Sequence, residues 1–141
     1  MIFKRIKQLR IENSYSQKYL ADILNTYQSN YSKWENGVET IPLEKLFILA
    51  KFYNLSIDYI VGLSDIKNKN NINKLNKIII GNNIKKICET LNITQIKLAK
   101  FLETTQSTVS AFQNGKVLIL TKYIYLFSKK YKFSIEYICN N

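Results

Sequence analysis

Five side chains built for outward hydrogen bonding recur within one short stretch: Gln28, Ser29, Ser32, Lys33 and Asn36, at i, i+1, i+4, i+5 and i+8. On a helix these positions share a face, with Tyr31 and Trp34 on the other side, toward a core. An amide presents a donor beside an acceptor, a hydroxyl can be either, and an ammonium neutralises an anion. That is the chemistry of recognition. Gln17, at the start of the preceding helix, adds an amide where backbone N–H groups favour an anion such as phosphate. Chemistry of turnover is poorly provided for. The chain has no histidine, hence no usual general base at neutral pH, and neither paired carboxylates nor a glycine-rich phosphate loop appears. Cys88 and Cys139 stand far apart without a CxxC pattern, so no zinc site is expected and both read as small core hydrophobes. The expectation is a protein that is not an enzyme and has no cofactor or metal.

A formal charge of +11 points to a polyanionic partner. Nineteen of the 21 basic residues are Lys, a bias that AT-rich coding would also produce, so the charge motivates a search for a binding motif without identifying one. Nothing resembles a signal peptide, and the longest apolar runs, Ile78 to Ile80 and Val117 to Leu120, are far too short to span a bilayer. A cytoplasmic protein with no membrane association is expected.

The chain repeats itself. Shifted by 78 positions, residues 3–63 align on 81–141 without a gap, most densely where Ser16–Gly37 meets Thr94–Gly115. A fixed, gapless period means a duplicated structural unit. In the second copy Gln106, Ser107, Ser110 and Asn114 reproduce four of the five polar positions, with Ala111 in place of Lys33, and Gln95 matches Gln17. Elsewhere solvent-facing pairs have diverged freely, such as Lys18/Ile96 and Asp22/Lys100. Identity retained on one face argues that the face touches something. The expected organisation is a first domain over 1–66, a basic linker or helix extension over 67–80, and a second domain over 81–141. The linker reads as flexible to about Asn73, with apolar positions from Ile72 able to extend the helix that follows. Residues 1–66 carry 8 basic and 7 acidic side chains, whereas 81–141 carry 9 and 3, so most of the positive field belongs to the linker and second copy.

Each copy reads as five short helices, with no competing strand pattern. In the first, Ile2, Ile6 and Leu9 lie on one face of a helix ending near Asn13. Ser16 caps a second helix carrying Leu20, Ala21 and Leu24 inward, and a third runs from about Gln28 to Asn36, closed by Gly37. Pro42 opens a fourth with Leu43, Leu46, Phe47, Ala50 and Tyr53 buried, and Ser56 caps a fifth with Asp58 in its first turn. Thr94, Gly115 and Ser134 mark the same boundaries in the second copy.

Two short helices joined by a tight turn form a helix-turn-helix, whose second helix enters the major groove of DNA. The run Ser16-Gln17, Leu20-Ala21, Leu24, Gln28-Ser29, Ser32-Lys33-Trp34-Glu35-Asn36-Gly37 resembles the phage-repressor-type, Cro-like (xenobiotic-response-element) helix-turn-helix family over almost the whole chain. The resemblance implies an all-α fold of two tandem five-helix lambda-repressor-like domains. It implies DNA contacts from Gln17, Gln28, Ser29, Ser32, Lys33 and Asn36, and from Gln95, Gln106, Ser107, Ser110 and Asn114. Arg10 and Glu35 look like an ion pair bracing the third helix; their counterparts are Cys88 and Gln113, both charges having gone together. Asn25 and Glu103 stand at the turn position where the family usually has Gly, and Glu is the poorer residue for a left-handed conformation.

The function so implied is that of a sequence-specific, nucleoid-associated transcriptional regulator of repressor type, its partner double-stranded DNA, addressed as a homodimer or as an intramolecular pseudo-dimer. The alternative is a DNA-binding module whose second domain dimerises or binds a protein partner in the manner of an antitoxin. Tyr123, Tyr125, Phe127, Tyr131 and Tyr137 make that half aromatic-rich. An exposed cluster among them would be an interface.

Overall fold

A computed structural model describes residues 1–140. These residues form ten α-helices and no strand, in two compact units, Met1–Asn70 and a second that begins at Asn71. Unit 1 contains α1 (Lys4–Glu12), α2 (Gln17–Ile23), α3 (Gln28–Glu35), α4 (Leu43–Tyr53) and α5 (Ile57–Ile60). Unit 2 contains α6 (Lys77–Thr90), α7 (Gln95–Leu102), α8 (Gln106–Gln113), α9 (Thr121–Tyr131) and α10 (Ile135–Cys139).

Hydroxyl caps set the starts of half of the helices. Ser16 and Ser56 accept hydrogen bonds from the backbone N–H groups of Tyr19 and Tyr59, and Thr94 and Ser134 do the same for Lys97 and Tyr137. Each such cap contributes about 1 kcal/mol, a large fraction of what a helix this short can gain alone. The cores are aliphatic and aromatic: Ile6, Leu20, Leu24, Tyr31 and Leu46 are fully buried in unit 1, Leu98, Val109, Phe112, Ile124 and Phe127 in unit 2. Ala21 and Ala99 are buried where α2 meets α3 and α7 meets α8. Cys88 and Cys139 are both buried.

Several details differ from the sequence pattern. Ile2 lies ahead of α1 and is half exposed, while Phe3 enters the core in its place. On α4 the buried stripe is Leu43, Leu46, Leu49 and Ala50; Phe47 and Tyr53 are only half-buried, Phe47 because it falls at the edge of that stripe and Tyr53 because it is the last residue of the helix. Pro42 is the residue before that helix and not its first turn.

The polar stretch between the repeats is not wholly a free linker. Asn68 accepts a hydrogen bond from the Ser56 backbone N–H, the Asn70 side chain donates to the Leu55 carbonyl, and Asp65 pairs with Arg5. Unpaired backbone groups at the start of α5 find partners in this segment, which fastens it to unit 1. Nor does the next helix begin at Ile72. Asn76 caps α6 by accepting from the N–H groups of Ile78 and Ile79, so the helix starts at Lys77, although Ile72 is itself buried.

At 14 residues α6 is longer than α1, with 9, and its extra turn crosses the end of α8. Gly81 permits this crossing: a Cβ there would stand 2.0 Å from the Phe112 carbonyl oxygen. The turns before the third helices are left-handed at Asn25 (φ 52°) and Glu103 (φ 56°). For Glu this conformation costs roughly 1–2 kcal/mol, whereas Asn can support it with local hydrogen bonds. Replacement Glu103→Gly should therefore stabilise unit 2 by about 0.5–1 kcal/mol after the extra backbone entropy of glycine is counted. Thermal melting of the full chain checks this; an unchanged or lower melting temperature would show that the turn carries no strain.

Candidate nucleic-acid interface

The third helix of each unit is held by its inner face. Tyr31 and Trp34 anchor α3, and Val109 and Phe112 anchor α8, all buried. The outer faces then agree residue by residue. Gln28, Ser29 and Asn36 are exposed and Ser32 is half-buried; Gln106, Ser107 and Asn114 are exposed and Ser110 is half-buried. Lys33 is exposed, with Ala111 at its position in unit 2, and Gln17 and Gln95 are half-buried at the first turns of α2 and α7. Asn36 donates to the Ser32 hydroxyl at 3.2 Å and Asn114 to Ser110 at 3.1 Å. The same internal bond in both units fixes the plane of each carboxamide and leaves its carbonyl oxygen free to accept.

In unit 1 the brace behind this face is ionic. Arg10 on α1 grips the Glu35 carboxylate at the end of α3 through Nε, at 3.0 and 3.2 Å, and through Nη2, at 2.7 Å, while Nη1 donates to the Tyr15 carbonyl. The Glu35 side chain is wholly enclosed and that of Arg10 nearly so. Burial opposes ionisation of Glu35, but donation from Arg10, with the Tyr31 and Gln17 side chains beside it, outweighs burial and holds the carboxyl below its ordinary value. Burial, then the neighbouring Glu35 carboxylate, pushes the Tyr31 phenol far above its usual range. Lys45 adds a second brace by donating to the Leu24 carbonyl at 2.8 Å, at the end of α2.

In unit 2 the brace is neutral. Gln95 donates to the buried Gln113 at 3.0 Å, and Gln106 reaches the Gln95 carboxamide oxygen at 3.4 Å. Gln113 stands where Glu35 does, so an amide chain runs from the core to a residue of the outer face. Cys88, in the Arg10 position, lies beside Gln113; burial pushes its thiol up to about 11, so it is protonated and uncharged at neutral pH.

The outer faces also differ. Tyr27 precedes α3, is 79% exposed and gives no side-chain cap, whereas Thr105 caps α8 by accepting from the Thr108 N–H. Lys33 lies 3.7 Å from Glu39, an exposed pair. On unit 2 a concavity of about 390 Å³ is lined by Gln95, Gln106, Ser107, Ser110, Ala111 and Lys116. Of these, Lys116 was not among the expected contacts; the signal was its charge opposite Val38 in the repeat alignment. The aromatic residues of the C-terminal half divide: Phe127 is buried, Tyr123, Tyr125 and Tyr131 are half-buried, and Tyr137 is exposed. Among the described residues no cluster of His, Cys, Asp or Glu suited to a metal occurs, and no helix is long and apolar enough to cross a membrane.

A helix-turn-helix family model matches residues 6–60, which therefore form a helix-turn-helix domain. Two HTH-type transcriptional regulators of Bacillus subtilis (strain 168) are similar to the chain: YobD, 38% identical over 46% of this chain and 58% of its own length, and ImmR, 36% identical over 54% and 60%. The HTH-type transcriptional activator BcrR of Enterococcus faecalis is 29% identical over 55% of this chain and 41% of its own. The chain thus spans less than two thirds of these relatives. No solved structure gives a significant match.

Two expectations separate the roles of the two faces. Gln28→Ala should weaken sequence-specific duplex binding by about 1–3 kcal/mol and leave melting unchanged, while Glu35→Ala, which strands Arg10, should destabilise unit 1 by about 3 kcal/mol. Paired melting and binding curves check the ranking; the reverse order would interchange the faces. A second expectation concerns acid. Because the folded Glu35 carboxyl titrates below its ordinary 4.5, its contribution is complete above that pH and is lost as pH falls through the folded value. Melting temperature against pH should fall more steeply below 4.5 in the parent than in Glu35→Gln; superimposable profiles would contradict the ionic brace.

Proposed function

We propose that the chain is a DNA-binding transcriptional regulator whose two units each place their third helix, α3 or α8, in the major groove of duplex DNA. The observation that carries this reading is the duplicated polar face: the same amide, hydroxyl and amide positions, at matching exposure, on helices whose opposite sides are fixed in a core. Gln28 and Gln106 suit adenine, whose donor and acceptor a carboxamide pairs at once. Ser29, Ser32 and Asn36, with Ser107, Ser110 and Asn114, reach bases or phosphates, and Gln17 and Gln95 reach phosphate from the first turns of α2 and α7. The net charge of +11 adds the sequence-independent attraction. By the likeness to phage repressors, the regulation proposed is repression through occupancy of an operator, in the cytoplasmic nucleoid. Two reading heads in one polypeptide allow an intramolecular pseudo-dimer addressing half-sites about 34 Å apart.

A second reading has its own observation. On unit 2 Leu120 and Tyr137 are 59% and 62% exposed, apolar surface suited to self-association or to a protein partner. Under it, unit 1 alone reads DNA.

Selection of binding sites from a random duplex pool by the full chain tests the choice. The first reading predicts two related half-sites, both weakened when Gln28→Ala and Gln106→Ala are tested in turn. A single half-site indifferent to Gln106→Ala would favour the second reading, and a pool with no enriched motif would remove both.

A further inference from the structure

The reading face of α8 lacks the cation that α3 carries, since Ala111 occupies the position of Lys33. On that comparison alone the second head would make one fewer phosphate contact. The structure returns a cation to the same place by another route. The turn after each third helix folds back on it: the Val38 N–H donates to the Lys33 carbonyl at 2.9 Å, and the Lys116 N–H donates to the Ala111 carbonyl at 3.0 Å. Lys116 therefore leaves the backbone directly beside the residue that lost its charge, is exposed, and lines the concavity with Gln95, Gln106, Ser107 and Ser110. Its position is fixed from behind. Gly115, at φ +72°, lets the turn approach α6 so closely that a Cβ would stand 2.9 Å from the Ile78 Cα, and Lys77 donates to the Lys116 carbonyl.

The two cations differ in their surroundings. Lys33 stands 3.7 Å from Glu39, and this exposed carboxylate offsets part of its charge at any anion nearby. The Glu39 position is Val117 in unit 2, and among the described residues no carboxylate pairs with Lys116. Lysine and carboxylate have gone from unit 2 together, and an unscreened lysine has appeared one residue before the vacated carboxylate. Resting on the reading of α8 as a DNA-binding helix, we propose that Lys116 is the phosphate-binding cation of the second head, replacing Lys33, and that the two heads divide their work. Unit 1 reads with a cation held in check by Glu39, and unit 2 supplies the stronger electrostatic hold.

The test is the salt dependence of binding by the full chain to a mixed-sequence duplex long enough for both heads, measured by fluorescence anisotropy. Each phosphate contact contributes about 0.9 to the slope of log affinity against log salt. Lys116→Ala should reduce the magnitude of that slope by about 0.9, Lys116→Arg should restore it, and Lys33→Ala should change it by less than half as much. Glu39→Gln should tighten binding by releasing Lys33. Lys116 is exposed and its backbone bonds do not involve its side chain, so these variants keep the fold, and the Arg rescue verifies it. A parent that binds with an unaltered slope in Lys116→Ala, or with the larger loss in Lys33→Ala, overturns the assignment and leaves the DNA-binding reading standing. A parent that shows no salt-dependent binding overturns that reading, and this assignment falls with it.

Discussion

The enclosed carboxylate of Glu35 is the constraint on which unit 1 depends. A charge removed from water needs a partner of excellent geometry, and the Arg10 guanidinium supplies it with three hydrogen bonds from a helix distant in sequence. This pair ties α1 to the end of α3, and with Tyr31 and Trp34 it sets which side of α3 faces inward. Everything proposed about recognition follows from that orientation, because the five polar residues are useful only if they share the outward side of a fixed helix. A surface pair of the same residues would add at most about 1 kcal/mol; enclosure makes this one obligatory.

Unit 2 solves the same problem without charge. Losing either partner of a buried ion pair alone is costly, so Cys88 and Gln113 are intelligible as a joint replacement. What Gln113 does in exchange is pass its hydrogen bond outward, through Gln95 to Gln106. The outward Gln106 of unit 2 is thereby connected to the core through amides, whereas Gln28 of unit 1 stands in front of an ionic lock. The fold tolerates the exchange because its remaining supports are apolar: Phe112 for Trp34, Val109 for Tyr31, and Gly81 bringing α6 against the end of α8.

Much of this could be read from residue types and spacing. Period-3.6 patterns, hydroxyl caps and the 78-residue repeat place most helices within a residue or two, α6 excepted because it starts at Lys77 and not at Ile72, and the Arg10–Glu35 pair was implied by the family resemblance, with which the joint loss of its counterparts accords. The third-helix faces were legible for the same reason, as amphipathic segments repeated with identical polar residues. What escaped depends on long-range geometry. The Asn-rich stretch looked free because nothing local shows that Ser56 N–H needs the Asn68 carbonyl. Gly81 aligns with Phe3 and carries no local sign that it admits a crossing helix. Lys116 lies outside the helical motif, and only the fold-back of its turn onto Ala111 brings it to the outer face of α8. Arg5 and Asn83 are equivalent in the repeat and both donate to carbonyls of the last helix of their unit, Tyr59 and Ile138, a role that their different chemistry concealed.

The central claim is that one polypeptide carries two reading heads of the same kind. Its most direct measurement is the stoichiometry of the complex, by native mass spectrometry, on a duplex containing a selected pair of half-sites. The account predicts one chain bound across both half-sites, with binding to the second half-site lost when the outer face of α8 is replaced. Two chains on the duplex, held together through unit 2 and indifferent to that replacement, would contradict it.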